Sequence, residues 1–103
     1  MIKTSLWKVK EGKREEWLNW CKEIMAQYDE AAETLREEQL IREQCALFDV
    51  GDESYLVYLH QPEEEKEKLP ANLEKPINQK HFKKMGECLE RCTNRTEGYD
   101  VSV

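Results

Sequence analysis

The spacing of apolar residues changes along the chain, and each change marks a predicted element. Residues 2–9 place Leu6, Trp7 and Val9 in a β-rich run that a glycine-containing turn ends, which predicts a strand. Residues 13–39 have apolar positions at steps of three and four without Pro or Gly, which predicts one long amphipathic helix. The apolar positions of this helix are Trp17, Cys21, Ile24, Tyr28, Ala31 and Leu35.

The middle of the chain predicts a β-hairpin. Residues 40–49 and 54–60 are two β-rich runs, and a short connection that contains Gly51 followed by Asp52 joins them. Gly-Asp between such runs is a hairpin signal because glycine accepts the positive φ of a tight turn.

The last third of the chain begins with an unusual segment. Three prolines bracket a run of Glu and Lys in residues 62–76, which favours a solvated surface excursion, with a lid or an arm across a partner subunit as the alternative. Residues 79–93 predict a second helix with Asn78 as its N-cap. Residues 99–103 predict a short final strand.

The resulting order is strand, helix, strand, strand, helix, strand. This βαββαβ order predicts an α+β, ferredoxin-like fold, with a four-stranded antiparallel sheet and two helices on one face. A chain of 103 residues forms a single domain, residues 1–103.

In residues 54–60 neither alternating set of side chains is plainly polar, so the sheet face without helices needs a second cover. We therefore expect a homodimer in which two sheets enclose a shared interior.

Composition narrows the classes of partner. The formal net charge of −6 argues against nucleic-acid binding and against anionic membranes, because both need a basic surface. No signal-length apolar run opens the chain and no stretch has 18 apolar residues, which favours a soluble, cytoplasmic protein. In that compartment the four cysteines are expected to be reduced thiols.

Four stretches of the chain carry a resemblance to a known group of proteins. They are KTSLWKVKEGKREEWLNW, EAAETLREEQLIREQ, SYLVYLHQPE and PINQKHFKKMGECL. The chain resembles the dimeric α/β-barrel superfamily, which includes small heme-free monooxygenases, EthD-like proteins and sugar mutarotases. It is most similar to a small uncharacterised bacterial family, a domain of unknown function, within it. The resemblance implies a ferredoxin-like fold and dimerisation, and it assigns no activity.

Glu43 is the first candidate for chemistry. It lies in the middle of a predicted strand with apolar residues at the alternate positions, where a carboxylate is costly to bury unless it is paired or its pKa rises. It is either a structural acid or a base in a pocket. Strand parity decides whether Glu43 or Arg42 faces the helices. Trp7 and Tyr58 are candidate aromatic walls of the same cavity.

The two histidines and one further carboxylate complete the candidate site. His60 ends a strand, where its side chain can reach a barrel mouth, and His81 falls in the first turn of the predicted second helix. The helix dipole there would keep His81 neutral, so either ring is a candidate base, with an ordinary surface role as the alternative. Glu38 ends the first helix, where a carboxylate is unfavourable; its position hints at a partner and makes it a candidate ligand-binding residue, although an ordinary exposed acid is the favoured interpretation.

No metal or cofactor is predicted. Cys88 and Cys92 have a spacing that could share one ion, but His81 is too far along the helix to join Cys92, and no second ligand pair follows. Buried thiols explain both cysteines. No phosphate loop or nucleophile elbow occurs.

The sequence is compatible with two functions. The first is a homodimeric barrel that binds a small, partly apolar organic ligand and transfers protons without a cofactor, with Glu43 or a histidine as the base. The alternative is a non-catalytic interaction module whose acidic segment 62–76 contacts a basic partner.

Overall fold

Four antiparallel strands form one sheet in the order β2-β3-β1-β4, and three helices accompany it. The computed structural model describes residues 2–103. Its elements are β1 (Lys3–Val9), α1 (Arg14–Ala26), α2 (Tyr28–Glu37), β2 (Leu40–Val50), β3 (Glu53–Pro62), α3 (Pro76–Cys88) and β4 (Leu89–Arg91). The predicted α+β class and four-stranded antiparallel sheet are confirmed.

Strand register fixes which side chains share the buried face of the sheet. Tyr58 of β3 lies opposite Ser5 of β1 and Cys45 of β2, so these three side chains are on one face. The helices cover that face, because Tyr58 and Leu56 belong to the same buried cluster as Trp17 of α1 and Cys88 of α3. Trp17, Trp20, Leu56 and Cys88 are the most completely buried large side chains.

The opposite face of the sheet has no helix against it. Leu6 of β1 and Phe48 of β2 lie there with 42% and 56% of their surfaces exposed. Ala46, Val57 and Leu59 lie between them and are half-buried. The expectation that this face is partly apolar is confirmed.

The prediction of one unbroken first helix is wrong at Gln27. Gln27 has φ −114° and ψ 41°, which ends α1 and begins α2. Its amide bonds the carbonyl of Ile24 at 3.0 Å, three residues back, as in a tightened last turn. Neither Pro nor Gly marks the break, so the apolar spacing runs through it.

The predicted second helix and last strand are displaced toward the N-terminus. Helix α3 begins after Lys75 with Pro76 in its first turn, where proline is favourable because no N–H is needed. Asn78 therefore does not cap it. The helix ends at Cys88 because Leu89 enters the sheet beside Val9, and both side chains are 5% exposed. Residues 99–103 form no strand; Tyr99 is 86% exposed and packs on no core.

Pro62 ends β3 and Pro76 begins α3, and residues 63–75 between them form no helix or strand and are tied to the end of α2. The amide of Leu69 bonds the carbonyl of Glu38 at 2.9 Å, and Lys68 Nζ lies 3.0 Å from Glu38 Oε1. Asn78 Nδ2 donates to the carbonyl of Asn72 at 2.9 Å, which fixes the other end of the segment. Across residues 2–103, no helix is long and apolar enough to cross a membrane.

Candidate functional site

A cavity of about 1000 Å³ lies between the helices and the face of the sheet that they cover. The six residues that the sequence singled out all line it: Trp7, Glu38, Glu43, Tyr58, His60 and His81. Trp7, Glu43, Tyr58 and His60 of its lining are on the sheet face that the helices cover. An interior shared between two paired sheets would lie on the other face and stays a prediction. The apolar walls of the cavity include Ile24, Met25, Ala31, Phe82 and Met85.

Glu43 and His60 form a pair across neighbouring strands. Their backbones lie directly opposite each other in the β2–β3 ladder, and His60 Nε2 is 2.7 Å from Glu43 Oε1. A register shift between Leu40 and Arg42 precedes the pair, and beyond it Glu43, not Arg42, is on the helix-bearing face.

The pair determines the ionisation of Glu43 and the hydrogen position on His60. Desolvation is the largest single influence on Glu43 and opposes its ionisation, but the hydrogen bond from His60 and the nearby positive charge together outweigh it, so the pKa of Glu43 lies below its ordinary value. An ionised carboxylate only accepts hydrogen bonds, so His60 Nε2 carries the proton. In the neutral ring Nδ1 then holds a lone pair, and among residues 2–103 it makes no hydrogen bond.

A second chain of hydrogen bonds joins Trp20, His81 and Tyr58. Trp20 Nε1 donates to His81 Nδ1 at 2.9 Å, and His81 Nε2 lies 3.4 Å from the hydroxyl of Tyr58. Trp20 and Tyr58 are buried, with 1% and 3% of their surfaces exposed. Tyr58 also stacks on His60, with ring centroids 5.6 Å apart at 17°, so both hydrogen-bonded groups meet in one cavity.

His81 is held neutral by a different cause from the one predicted. Helix α3 begins at Pro76, so His81 lies in the second turn, beyond the reach of the helix N-terminus. Burial lowers the pKa of His81 below its ordinary value. The Trp20 donor adds to this, because a protonated Nδ1 would face another N–H.

The remaining two predicted residues, Glu38 and Trp7, line the cavity and are fixed by contacts with their neighbours. Glu38 is buried with 8% exposed, and Lys68 is the partner that its unfavourable helix-end position suggested. Trp7 meets Tyr58 edge to face at 6.4 Å and donates from Nε1 to Ser5 Oγ at 2.9 Å. The guanidinium of Arg91 lies 5.6 Å from the centre of the Trp7 ring.

Two site residues escaped the sequence analysis. Trp20 widens the apolar stripe of the predicted first helix, where nothing in the sequence distinguishes it from a core residue, and its partner His81 is 61 positions away. Lys68 was one of several charged residues in the Glu- and Lys-rich run of segment 62–76, which was predicted to be solvated. The sequence signals for Trp20 and Lys68 were indirect. A buried indole N–H such as that of Trp20 needs an acceptor, and the carboxylate of Glu38 at a helix end favours a cation nearby.

The cysteines take no part in the cavity. All four are free thiols, and Cys88 donates from Sγ to Glu16 Oε2 at 3.0 Å. Burial raises the pKa of Cys88 to about 11, which keeps the thiol protonated at neutral pH. Within residues 2–103, no three His, Cys, Asp or Glu side chains are grouped as metal ligands.

The charges around the cavity balance. Four cationic and four carboxylate side chains of the described residues line it: Lys3, Lys68, Arg91, Arg95, Glu38, Glu43, Glu97 and Asp100. Lys68 pairs with Glu38 and Arg95 with Glu97. The lining therefore selects for neither anions nor cations.

Fold and site together define an α+β protein with a cavity of about 1000 Å³. Two hydrogen-bonded groups line it, the Glu43–His60 pair and the chain from Trp20 through His81 to Tyr58. The chain belongs to a family described as "Family of unknown function (DUF6176)", whose model matches residues 2–101. No curated protein matches the chain significantly, and no solved structure does.

Proposed function

We propose that this protein binds a small organic molecule in the cavity and transfers a proton on it without a cofactor. The observation that supports this most directly is the Glu43–His60 pair at 2.7 Å inside a cavity of about 1000 Å³. Cavities of this size, mostly apolar with a few convergent polar groups, are typical of small-molecule sites.

His60 is the base in this proposal, and Glu43 positions it. A carboxylate that holds Nε2–H leaves Nδ1 as the basic nitrogen, which is the arrangement of many histidine general bases. Tyr58 and Trp7 are the aromatic walls that hold the substrate. Glu38 acts on the site through Lys68, which lines the cavity beside it.

Binding of an uncharged apolar probe tests the ligand site. We expect N-phenyl-1-naphthylamine to bind with increased fluorescence, and Ala32→Trp to weaken binding at least about tenfold because the indole fills space that the probe needs. Ala32 lines the cavity. The measurement is a fluorescence titration of each folded variant.

The matched control is Lys22→Trp, which adds the same indole at an exposed α1 position outside the cavity lining. It should bind the probe as the wild type does. Equal weakening by both substitutions, or no binding by the wild type, would contradict the ligand site.

We also propose that the chain is a ferredoxin-like member of the dimeric α/β-barrel superfamily and that two copies pair through the open face of the sheet. In support, Phe48 and Leu6 are exposed there beside half-buried apolar residues, and contiguous apolar patches on soluble proteins commonly mark interfaces. A second copy would bring an identical patch to this one.

The mass in solution tests the pairing. By size-exclusion chromatography with light scattering we expect a mass near twice 12.3 kDa. Phe48→Lys should shift the mass toward the monomer because it places a charge in the paired face. Leu73→Lys should not, since Leu73 is at least as exposed, at 63% against 56% for Phe48, but lies in segment 62–76. A monomeric wild type would rule out the pairing.

The interaction-module alternative gains weight if Glu43 is tied up in a salt bridge with no cavity beside it; Glu43 is paired with His60, but the pair lines a cavity. The cavity is present, so we favour the ligand-binding proposal. Contact of segment 62–76 with a basic partner stays a prediction.

A further inference from the structure

We infer that the substrates are uncharged, enolisable carbonyl compounds, in which the Tyr58 hydroxyl binds the carbonyl oxygen and His60 removes the proton from the adjacent carbon. This inference rests on the proposed function and names its substrate class and reaction. It follows from the hydrogen positions that the two histidines must have.

Trp20 fixes the tautomer of His81. An indole N–H is only a donor, so the 2.9 Å contact requires an unprotonated Nδ1 on His81. The neutral ring then carries its proton on Nε2, which faces the hydroxyl of Tyr58 at 3.4 Å. His81 is thus the donor and the Tyr58 oxygen is the acceptor.

The hydroxyl proton of Tyr58 is consequently left for a ligand. Among residues 2–103 the hydroxyl makes no hydrogen bond besides the one with His81, and Tyr58 lines the cavity. Burial raises the pKa of Tyr58 above its ordinary value, so the phenol keeps its proton and acts as a donor. A preorganised donor in a desolvated site stabilises a developing oxyanion.

His60 supplies the complementary base next to this donor. Its ring is stacked on Tyr58 with centroids 5.6 Å apart, and its Nδ1 holds the lone pair because Glu43 fixes the proton on Nε2. A donor and a base need heavy-atom approaches of about 3 Å each to the groups they serve. Because the two rings are stacked and both line the cavity, a ligand at their edges is offered the hydroxyl donor and the base side by side.

The reaction balances without another reactant. The C–H bond next to the carbonyl breaks, its proton goes to His60 Nδ1, and its electron pair forms the C=C bond of an enolate. The former carbonyl pair moves to oxygen, where the Tyr58 hydroxyl stabilises it by hydrogen bonding. The imidazolium of His60, stabilised by the Glu43 carboxylate, returns a proton to carbon or to oxygen.

The cavity walls indicate the rest of the substrate. Ile24, Met25, Phe82 and Met85 offer an apolar surface, while the cationic and carboxylate groups are equal in number. An uncharged ketone with an apolar body fits this lining, and a phosphorylated or carboxylated one finds no excess of cations.

Hydrogen–deuterium exchange of phenylacetone tests the inference. In D₂O at neutral pD, the protein should accelerate loss of the benzylic CH₂ signal in proton NMR over buffer alone. Tyr58→Phe should slow the catalysed exchange roughly 10²–10³-fold, as loss of an oxyanion donor does. His60→Gln should slow it roughly 10²–10⁴-fold, as loss of a general base does.

Tyr55→Phe is the matched control because Tyr55 is on the same strand but on the open face, where its hydroxyl bonds Glu53. It should exchange phenylacetone like the wild type, and circular dichroism confirms that each variant is folded. Binding of phenylacetone, followed by protein amide shifts, is measured in parallel.

The outcomes separate the two proposals. Phenylacetone that binds without accelerated exchange, or exchange that survives Tyr58→Phe, overturns the carbonyl inference and leaves the ligand site intact. If neither phenylacetone nor N-phenyl-1-naphthylamine binds, both proposals are wrong.

Discussion

Trp17→Ala should lower the free energy of unfolding by about 3–5 kcal/mol, the usual cost of truncating a fully buried large aromatic side chain. Trp17 has no exposed surface and lies in the main buried cluster with Tyr58 and Leu56. Its ring meets Tyr58 edge to face at 6.4 Å, so the cavity left by alanine opens beneath the candidate site. Urea unfolding at a fixed protein concentration, followed by circular dichroism, measures the loss.

Trp17→Phe is the matched control because it keeps most of the packing and removes an indole N–H. That nitrogen is buried, and it has no hydrogen-bond partner in the part of the chain that the structure describes. Removing an unpaired donor offsets part of the lost contact, so we expect a cost below about 2 kcal/mol. A Trp17→Ala cost no larger than that of Trp17→Phe would show that this part of the core is not closely packed.

Trp20→Phe should raise the pKa of His81 toward its ordinary value, because it removes a hydrogen bond, worth roughly 1 kcal/mol, that favours the neutral ring. In the wild type, Trp20 donates to Nδ1 and burial lowers the pKa below its ordinary value. Phenylalanine fills most of the same space and removes only the donor. Long-range ¹H–¹⁵N NMR of the imidazole measures both pKa and tautomer, and the wild type should show the proton on Nε2.

The lowered pKa of His81 in the folded protein predicts how the free energy of unfolding depends on pH. His81 binds its proton more weakly when folded, so the unfolded chain takes up more protons below the ordinary histidine pKa of about 6.5. The stabilisation is therefore complete above that pH and declines as pH falls below it. Trp20→Phe should make the decline between about pH 7 and pH 5 shallower.

His81→Gln is the control for this pH dependence, since glutamine does not titrate and should remove the His81 contribution to the slope. The folded pKa of Glu43 is also depressed, but its contribution is lost only as pH falls through that lower pKa, so the two are separable. An unchanged pKa of His81 in Trp20→Phe would mean that burial alone keeps the ring neutral.

The candidate site was largely predictable because its members are locally conspicuous. Glu43 is a carboxylate among apolar strand positions, and only two histidines occur in the chain. Their convergence was not predictable, because it depends on the register that places Glu43 opposite His60. A one-residue slip would have turned Glu43 to the open face.

The wrong predictions of element boundaries have one physical cause. Where a helix or strand ends depends on the elements that it packs against or pairs with, and these are distant in sequence. Apolar spacing continues past Gln27 and past Cys88, so local pattern extends both helices. The second helix stops where Leu89 gains more from pairing and packing beside Val9 than from another helical turn. Residues 99–103 have strand-like composition but meet no partner strand within the described chain.

By itself, the sequence determined the α+β class, the hairpin, the apolar faces and the set of residues able to do chemistry, because these follow from periodicity and side-chain type. Only the tertiary structure decided where the cavity lies, which histidine nitrogen carries the proton, and that Trp20 and Lys68 belong to the site. Those properties arise between residues far apart in the chain, such as Trp20 and His81. They depend on packing and register, which no local pattern encodes.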